Sequence, residues 1–89
     1  MVEVADKPVT IEQAVEWLRL YLEPADLATL AATDEVDLID HHFELGLLIR
    51  NAFSLWDNPA LVAATGTQHP DDAALVIIRA LWRRLNPLH

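Results

Sequence analysis

Apolar residues recur three or four positions apart near the start of the chain, at Ile11, Ala14, Val15, Leu18 and Leu22. This spacing places them on one face of an α-helix. Thr10 and Gln13 have the residue types and the separation of a capping box, in which two side chains bond the unpaired amides of a helix start. Because proline disfavours the helical conformation of the residue before it, Pro24 ends the first helix and begins the next. The pattern predicts one helix over residues 11–22 and a short second helix over residues 24–31.

The longest predicted helix covers residues 35–53, and we expect it to lie at the centre of the fold. Its apolar stripe recurs at helical spacing and consists of Leu38, His42, Leu45, Ile49 and Phe53. Gly46 lies beside Leu45 in this pattern, and a glycine inside a helix costs about 1 kcal/mol relative to alanine. Close approach of another helix at Gly46 is the compensation that we expect.

Two further helices are predicted in the second half of the chain. One covers residues 59–64, between Pro59 and Gly66, and the last covers residues 70–85, where a proline again stands at the first position. No segment alternates apolar and polar residues over the length that a strand needs. The pattern therefore predicts an all-α fold, a single compact bundle of about five helices.

Length and composition are typical of one small helical domain. Hydrophobic residues make up 53% of the 89 residues, and the chain has two glycines and no cysteine. The absence of cysteine excludes disulfides and cysteine-based metal sites, and the length excludes a two-domain enzyme. We predict a single domain over residues 1–89, with residues 1–9 as a loosely ordered N-terminal arm.

The apolar content is high for so small a domain, which has little interior to hide such residues. Some of them are therefore expected on a surface that serves self-association or a protein partner. The sequence shows no signal-peptide pattern and no apolar run long enough to cross a membrane. We expect a soluble, cytoplasmic protein that does not insert into membranes.

Negative charge lies almost entirely in the first half of the chain. The net charge is −8, and residues 1–45 hold eleven Asp and Glu against two basic residues. Binding of nucleic acid needs clustered Lys and Arg, and the chain has six of them in total, so we expect no direct binding to nucleic acid. The acidic half is either a solubilising surface or a face that steers a basic partner towards it.

The second half of the chain contains one extended pattern of residues. It consists of His42-Phe43, Leu45-Gly46, Ile49-Arg50-Asn51, Phe53, Leu55-Trp56, His69-Pro70-Asp71-Asp72-Ala73 and Leu81-Trp82-Arg83-Arg84-Leu85. This pattern resembles that of a family of small bacterial domains of unknown function, over most of the chain after residue 10. The resemblance implies a small all-helical bacterial domain. It carries over no catalytic, cofactor-binding or metal-binding residue, because the family has no assigned activity.

Residue types that bind metal ions occur at His41, His42, His69, Asp71 and Asp72. These side chains lie close together only if the start of the last helix packs beside the third helix. Adjacent histidines on a helix point about 100° apart, so His41 and His42 do not easily serve one ion. The simpler interpretation is that His42 is a buried histidine and that His69 begins a helix whose first turn the two aspartates stabilise. We predict no metal site and no cofactor.

Arg50 and Asn51 are polar residues within an apolar segment. Arg50 binds either an external anion or a carboxylate of its own chain, and its planar guanidinium suits both. We favour an internal ion pair with Asp71 or Asp72, which would tie the third helix to the start of the last. The predicted structural polar cluster comprises His42, Arg50, Asn51, His69, Asp71 and Asp72.

Aromatic residues supply the candidate binding surface. Trp56 and Trp82 are predicted to lie in the core, whereas Trp17 lies off the apolar stripe of the first helix. Trp17 would form a second apolar strip with Leu20 and Tyr21, and buried aromatic anchors are common in protein interfaces. With the acidic residues of this half, the candidate partner-binding set is Trp17, Leu20, Tyr21, Glu16, Asp34, Glu35, Asp37 and Asp40.

The inventory for catalysis is poor. The chain has one serine, no cysteine and no glycine-rich loop that would cradle a phosphate, and we predict no catalytic residue. We therefore predict a small acidic protein–protein interaction module whose partner has a basic surface. Two alternatives remain open. One is an inhibitor or immunity-type protein that masks a basic surface of a toxin or defence enzyme, and the other is a small metal-dependent hydrolase that uses His42, His69, Asp71 and Asp72.

Overall fold

The computed structural model of the protein describes residues 7–86, apart from the side chains of residues 40–43. Within residues 7–86 the chain forms five α-helices and two 3₁₀ segments and no strand, so the predicted all-α fold is confirmed. In chain order the elements are α1 (Ile11–Tyr21), α2 (Pro24–Ala32), the long 3₁₀ segment (Glu35–His41), α3 (His42–Ala52), the short 3₁₀ turn (Leu55–Asp57), α4 (Pro59–Ala64) and α5 (Pro70–Leu85).

The other elements pack around α5, the longest helix. α3 and α1 make the most extensive contacts with it, and α2, α4 and both 3₁₀ segments also touch it. They share one core with the buried side of α5, which consists of Ala73, Ala74, Ile77, Ile78, Leu81 and Trp82. The centre of the bundle is therefore α5 rather than the third helix that we expected.

The segment over residues 35–53 is not the single α-helix that the sequence predicts. Its first part is the long 3₁₀ segment, and α3 ends at Ala52. In a 3₁₀ helix residues three apart are eclipsed, so Glu35 and Leu38 lie on the same side. Leu38 is buried in the core, and Glu35 reaches arginines of α5. An α-helix would turn these two side chains about 60° apart, so their contacts favour the tighter helix.

The other helix ends agree with the predictions to within one residue, and α4 and α5 have the predicted bounds. At the start of α1, the Gln13 amide donates to the Thr10 hydroxyl oxygen at 3.1 Å. The Gln13 side-chain oxygen accepts from the Val9 amide at 2.9 Å. The predicted capping box is confirmed, with the amide of Val9 in place of that of Thr10. Between α4 and α5, Gly66 has a φ of 77°, in the left-handed region that favours glycine.

Asn58, directly before α4, is a buried polar side chain. Its Oδ1 accepts from the Leu61 amide at 3.3 Å and so caps α4. Its Nδ2 donates to the carbonyl oxygens of Phe53 at 3.2 Å and Pro8 at 2.9 Å. Pro8 is buried, so the described end of the predicted N-terminal arm lies against the bundle. Residues 1–6 of that arm lie outside the described residues.

Two tryptophans that the sequence assigned to the core have opposite environments. Trp82 is buried as predicted, and its indole N–H donates to the Thr33 carbonyl oxygen at 2.7 Å. Trp56 is 63% exposed, so its assignment to the core is wrong. Ser54 has a left-handed φ of 48°, which turns the chain after α3 so that Leu55 enters the core in place of Trp56.

Candidate interaction surfaces

The apolar strip predicted on α1 is present, and its aromatic rings support each other. The rings of Trp17 and Tyr21 are stacked, with centroids 4.7 Å apart and an interplanar angle of 14°. Trp17 also packs edge-on against Phe53 of the core, with centroids 5.2 Å apart. Leu20 is 81% exposed and Tyr21 is also exposed, whereas Trp17 is half-buried. We call Trp17, Leu20 and Tyr21 the α1 patch, in which Trp17 is the base and the other two are the accessible part.

Glu16, which was predicted to belong to the binding surface, is paired with arginines of its own chain. Its Oε2 lies 3.0 Å from Arg19 Nη1 and 3.4 Å from Arg84 Nη2. Arg84 also approaches Glu12, at 3.9 Å. Such exposed pairs contribute at most about 1 kcal/mol each to stability. They do neutralise the negative charge on this side of α1.

Glu35 is likewise paired within the chain. Its Oε2 lies 3.4 Å from Arg83 Nη2 and 4.0 Å from Arg79 Nε. These contacts join the start of the long 3₁₀ segment to the second half of α5. Glu35 therefore contributes less free negative charge to the acidic half than its sequence position indicates.

Asp34 and Asp37 remain exposed, and neither forms an ion pair with a residue that the structure describes. The Asp37 amide donates to the Asp34 carbonyl oxygen at 2.9 Å, which closes a turn of the 3₁₀ type over residues 34–37. Residues three apart in such a turn lie on the same side of it, and we call these two exposed aspartates the acidic ridge. Asp40 follows in the same period, but its side chain lies outside the described residues.

A second line of side chains runs beside the acidic ridge. Val36 is 81% exposed and Ile39 is 62% exposed, and their three-residue separation aligns them as the apolar ridge. These two residues were not predicted to form a surface. The signal was the repetition of acidic and apolar residues at a period of three through residues 34–40, which is the period of a 3₁₀ helix.

An open groove separates the apolar ridge from α5. Its volume is about 470 Å³, and it is lined by Glu35, Val36, Ile39, Leu75, Arg79 and Arg83. The three residues from α5 are four positions apart, so they share one side of that helix. One wall of the groove is thus apolar, and the other ends in two arginines.

Trp56 lies at a second open groove, of about 480 Å³. The lining residues come from the short 3₁₀ turn, α4 and the connection to α5, and they are Leu55, Trp56, Asp57, Pro59, Val62, Ala63, Thr67, Gln68 and Pro70. This groove was not predicted from the sequence, because Trp56 was expected in the core.

The ion pair predicted between the third and last helices is present. Arg50 Nη1 contacts Asp71 Oδ1 and ties α3 to the first turn of α5. The Asp71 amide donates to His69 Nδ1 at 3.4 Å, so His69 caps α5 as the sequence indicates. Asn51 is half-buried and Asp72 is exposed, and neither side chain forms a hydrogen bond with a residue in the range 7–86.

The predicted convergence of metal-ligand types depends in part on residues that the structure does not describe. The side chains of His41 and His42 lie outside the described residues. Among the side chains that are described, no three or more His, Cys, Asp or Glu residues come together in a group that would hold a metal ion. The carboxylate of Asp71 is engaged by Arg50.

The fold and these surfaces define a small all-α domain with exposed apolar and acidic ridges. None of the helices within residues 7–86 is long and apolar enough to span a membrane. The chain belongs to the family described as Domain of unknown function (DUF6794), whose model matches residues 7–85. The expected relation to a family of unknown function is thereby confirmed. A search of curated proteins and a search of solved structures each found no match.

Proposed function

We propose that the protein is a protein–protein interaction module with no catalytic activity of its own, and that the α1 patch is its binding surface. The observation that carries this proposal is an aromatic pair held in place by the core, beside a leucine that is 81% exposed. Exposed apolar side chains that cluster on one face of a small domain are characteristic of interaction sites.

The aromatic pair lowers the entropic cost of binding. Trp17 is held between Tyr21, stacked on one side, and Phe53, packed edge-on. A side chain that is already ordered in the free protein loses little rotamer freedom in a complex. Rigid aromatic residues therefore provide contact area at low cost, as they do in other binding surfaces.

Leu20 is the most exposed side chain of the α1 patch. It lies three residues after Trp17 and one before Tyr21, on the same side of α1. Burial of an exposed leucine contributes about 1.5–3 kcal/mol of favourable free energy. A complex formed at the α1 patch is therefore expected to depend strongly on this side chain.

The charge around the patch favours a partner with a basic surface. Glu23 and Asp26 lie at the start of α2, and both are exposed and form no ion pair within the described range. The net charge of −8 adds a long-range field that attracts basic proteins. Association is therefore expected to be faster at low than at high ionic strength.

An inhibitor or immunity-type role is the second candidate. The observation in its favour is that four exposed carboxylates without an ion pair in residues 7–86 occur within one stretch, at Glu23, Asp26, Asp34 and Asp37. A protein that masks a basic surface of an enzyme needs negative charge that its own arginines do not neutralise. This candidate differs from the first in that binding would abolish an activity of the target.

The metal-dependent hydrolase has less support. It requires Asp71 as a ligand or a base, and the Asp71 carboxylate is already paired with Arg50. The two grooves described above are open, and neither is lined by a group of metal-ligand side chains. The interaction module is therefore the preferred function.

Affinity capture from cell extract with three forms of the full chain tests the proposal. The forms are the unchanged protein, Leu20→Asp and Val36→Asp. Leu20 and Val36 are both 81% exposed, and both substitutions add one negative charge, so the two variants are matched in exposure and charge and alter different surfaces. Retained proteins are identified by mass spectrometry at low and high salt, and circular dichroism confirms that each variant is folded.

The proposal expects a basic protein that the unchanged chain and Val36→Asp retain at low salt and that Leu20→Asp loses. Loss at Leu20→Asp would be due to the missing apolar contact, because the added charge by itself strengthens attraction to a basic partner. Retention by all three forms, or by none, would overturn the assignment of the α1 patch. An activity of the captured protein that falls on titration with this chain would support the inhibitor role.

A further inference from the structure

The surface formed by the long 3₁₀ segment and α5 carries its basic, apolar and acidic side chains side by side in a fixed order. In the 3₁₀ helix the line of Glu35 and Leu38 faces the bundle, and the apolar and acidic ridges occupy the other two sides. The apolar ridge lines the groove beside α5, so the acidic ridge lies on the far side of it. The order across the surface is therefore arginines, groove, apolar ridge and acidic ridge. We call this surface the α5 face.

We infer that the α5 face binds a second copy of the same face and makes the protein a two-fold symmetric dimer. A two-fold axis between the groove and the apolar ridge exchanges the two features. Val36 and Ile39 of each copy then fill the groove of the other. The same rotation brings the acidic ridge of each copy against Arg79 and Arg83 of the other.

Charge complementarity is the reason for a second copy as the occupant. A C₂ interface joins the same patch on both subunits, so it must be complementary to itself. The α5 face meets this condition, because it carries Asp34 and Asp37 at one edge and Arg79 and Arg83 at the opposite edge. A purely basic partner would meet repulsion at the arginine edge, and a purely acidic partner would meet repulsion at the aspartate edge.

The side chains of both edges are accessible for this contact. Arg83 is 64% exposed although it approaches Glu35, so its guanidinium retains donors for a second carboxylate. Asp34 and Asp37 form no ion pair within the described residues. Between the edges, Val36 and Ile39 offer apolar side chains that are exposed in the single chain.

The molecular mass in solution tests the inference. Sedimentation equilibrium of the full chain over a concentration series is expected to show a monomer–dimer equilibrium. Val36→Asp should abolish the dimer, because it places a charge in the partner's groove, whereas Leu20→Asp should leave it intact. A monomer at every concentration, or equal loss with both variants, would overturn the inference.

A second test reverses the charge of one edge in each of two variants and then mixes the variants. An unfolded variant would not form the mixed dimer that this test expects. In the proposed dimer, residue 37 of each copy faces residue 83 of the other. Asp37→Arg therefore places two positive charges opposite each other at both contacts, and Arg83→Asp places two negative charges opposite each other. Each variant alone is expected to be monomeric. A mixture of the two should restore a dimer of one copy of each, because both edges are then again of opposite charge.

The change in net charge in Asp37→Arg separates the edge contact from general charge repulsion. Asp37→Arg makes the protein less negative than −8, which by itself favours association. Loss of the dimer in that variant must therefore come from the edge contact. A persistent dimer in both single variants, or a mixture that stays monomeric, would overturn the arrangement. A monomer that instead binds a basic peptide at this face would also overturn it, while leaving the function proposed for the α1 patch unaffected.

Discussion

Asn58 and Pro8 are joined by a hydrogen bond of 2.9 Å although fifty residues separate them in the chain. The donor is the Asn58 side-chain nitrogen, which also reaches the Phe53 carbonyl oxygen at 3.2 Å. The side-chain oxygen of the same residue caps α4. One buried amide thus holds together the start of the described chain, the end of α3 and the start of α4. Buried polar groups are stable only when they are bonded, so this position is expected to tolerate little change.

Asn58→Asp should lower the free energy of unfolding by about 2–4 kcal/mol at neutral pH. The carboxylate keeps an acceptor for the Leu61 amide but places a negative charge against two carbonyl oxygens. Urea denaturation measures the difference. Asn51→Asp is the matched control, because Asn51 is half-buried and forms no side-chain hydrogen bond within residues 7–86. Equal losses in the two variants would contradict a special role for the Asn58 contacts.

The ion pair between Arg50 and Asp71 is expected to contribute modestly to stability. Its side chains are 30% and 49% exposed, so solvent screens much of the attraction. A double-mutant cycle of Arg50→Ala and Asp71→Ala should give a coupling energy of at most about 1 kcal/mol. The coupling should fall as salt is added, since the pair is only partly buried. A coupling energy of zero at low salt would show that the contact does not stabilise the fold.

The two tryptophans at positions 56 and 82 should respond differently to removal. Trp82→Ala is expected to cost about 3–5 kcal/mol, because it empties a buried site between helices. Trp56→Ala should change stability by no more than about 0.5 kcal/mol, because this indole is mostly exposed. Thermal melts followed by circular dichroism provide the comparison. A large loss with Trp56→Ala would mean that this side chain is part of the core after all.

Gly66 provides a test of backbone conformation alone. Its φ is 77°, and a Cβ added there meets no heavy atom within 4 Å among the described residues other than its chain neighbours. Gly66→Ala should therefore cost about 1–2 kcal/mol through backbone strain without any clash. Asparagine tolerates the left-handed region better than alanine, so Gly66→Asn is expected to cost less. Chemical denaturation of both variants checks the order, and the reverse order would exclude this explanation.

Local chemistry was sufficient to predict most of the helices. Pro59 and Pro70 begin α4 and α5 at the predicted residues, and the Thr10 cap begins α1. These signals act within a few residues and do not depend on the rest of the fold. An ion pair between Arg50 and the first turn of the last helix was also foreseeable, because a charged residue in an apolar segment favours a nearby opposite charge, and the structure selects Asp71 over Asp72.

The division of the third helix was not foreseeable in the same way. Over residues 35–41 the α and 3₁₀ conformations differ by a small rotation per residue, and the apolar pattern fits both. Contacts with α5 decide between them, through the burial of Leu38 and the pairing of Glu35 with Arg83. The apolar and acidic ridges, which carry the proposed dimer, follow from that choice.

The sequence by itself determined an all-α chain, the starts of α1, α2, α4 and α5, and an excess of negative charge in the first half. Only the tertiary structure decided which of those acids are free, because Glu16 and Glu35 are paired by arginines 68 and 48 residues away. It also decided that Trp56 is exposed and Trp82 buried. Both outcomes depend on which elements meet in space, and periodicity and capping along the chain carry no information about the partner across the core.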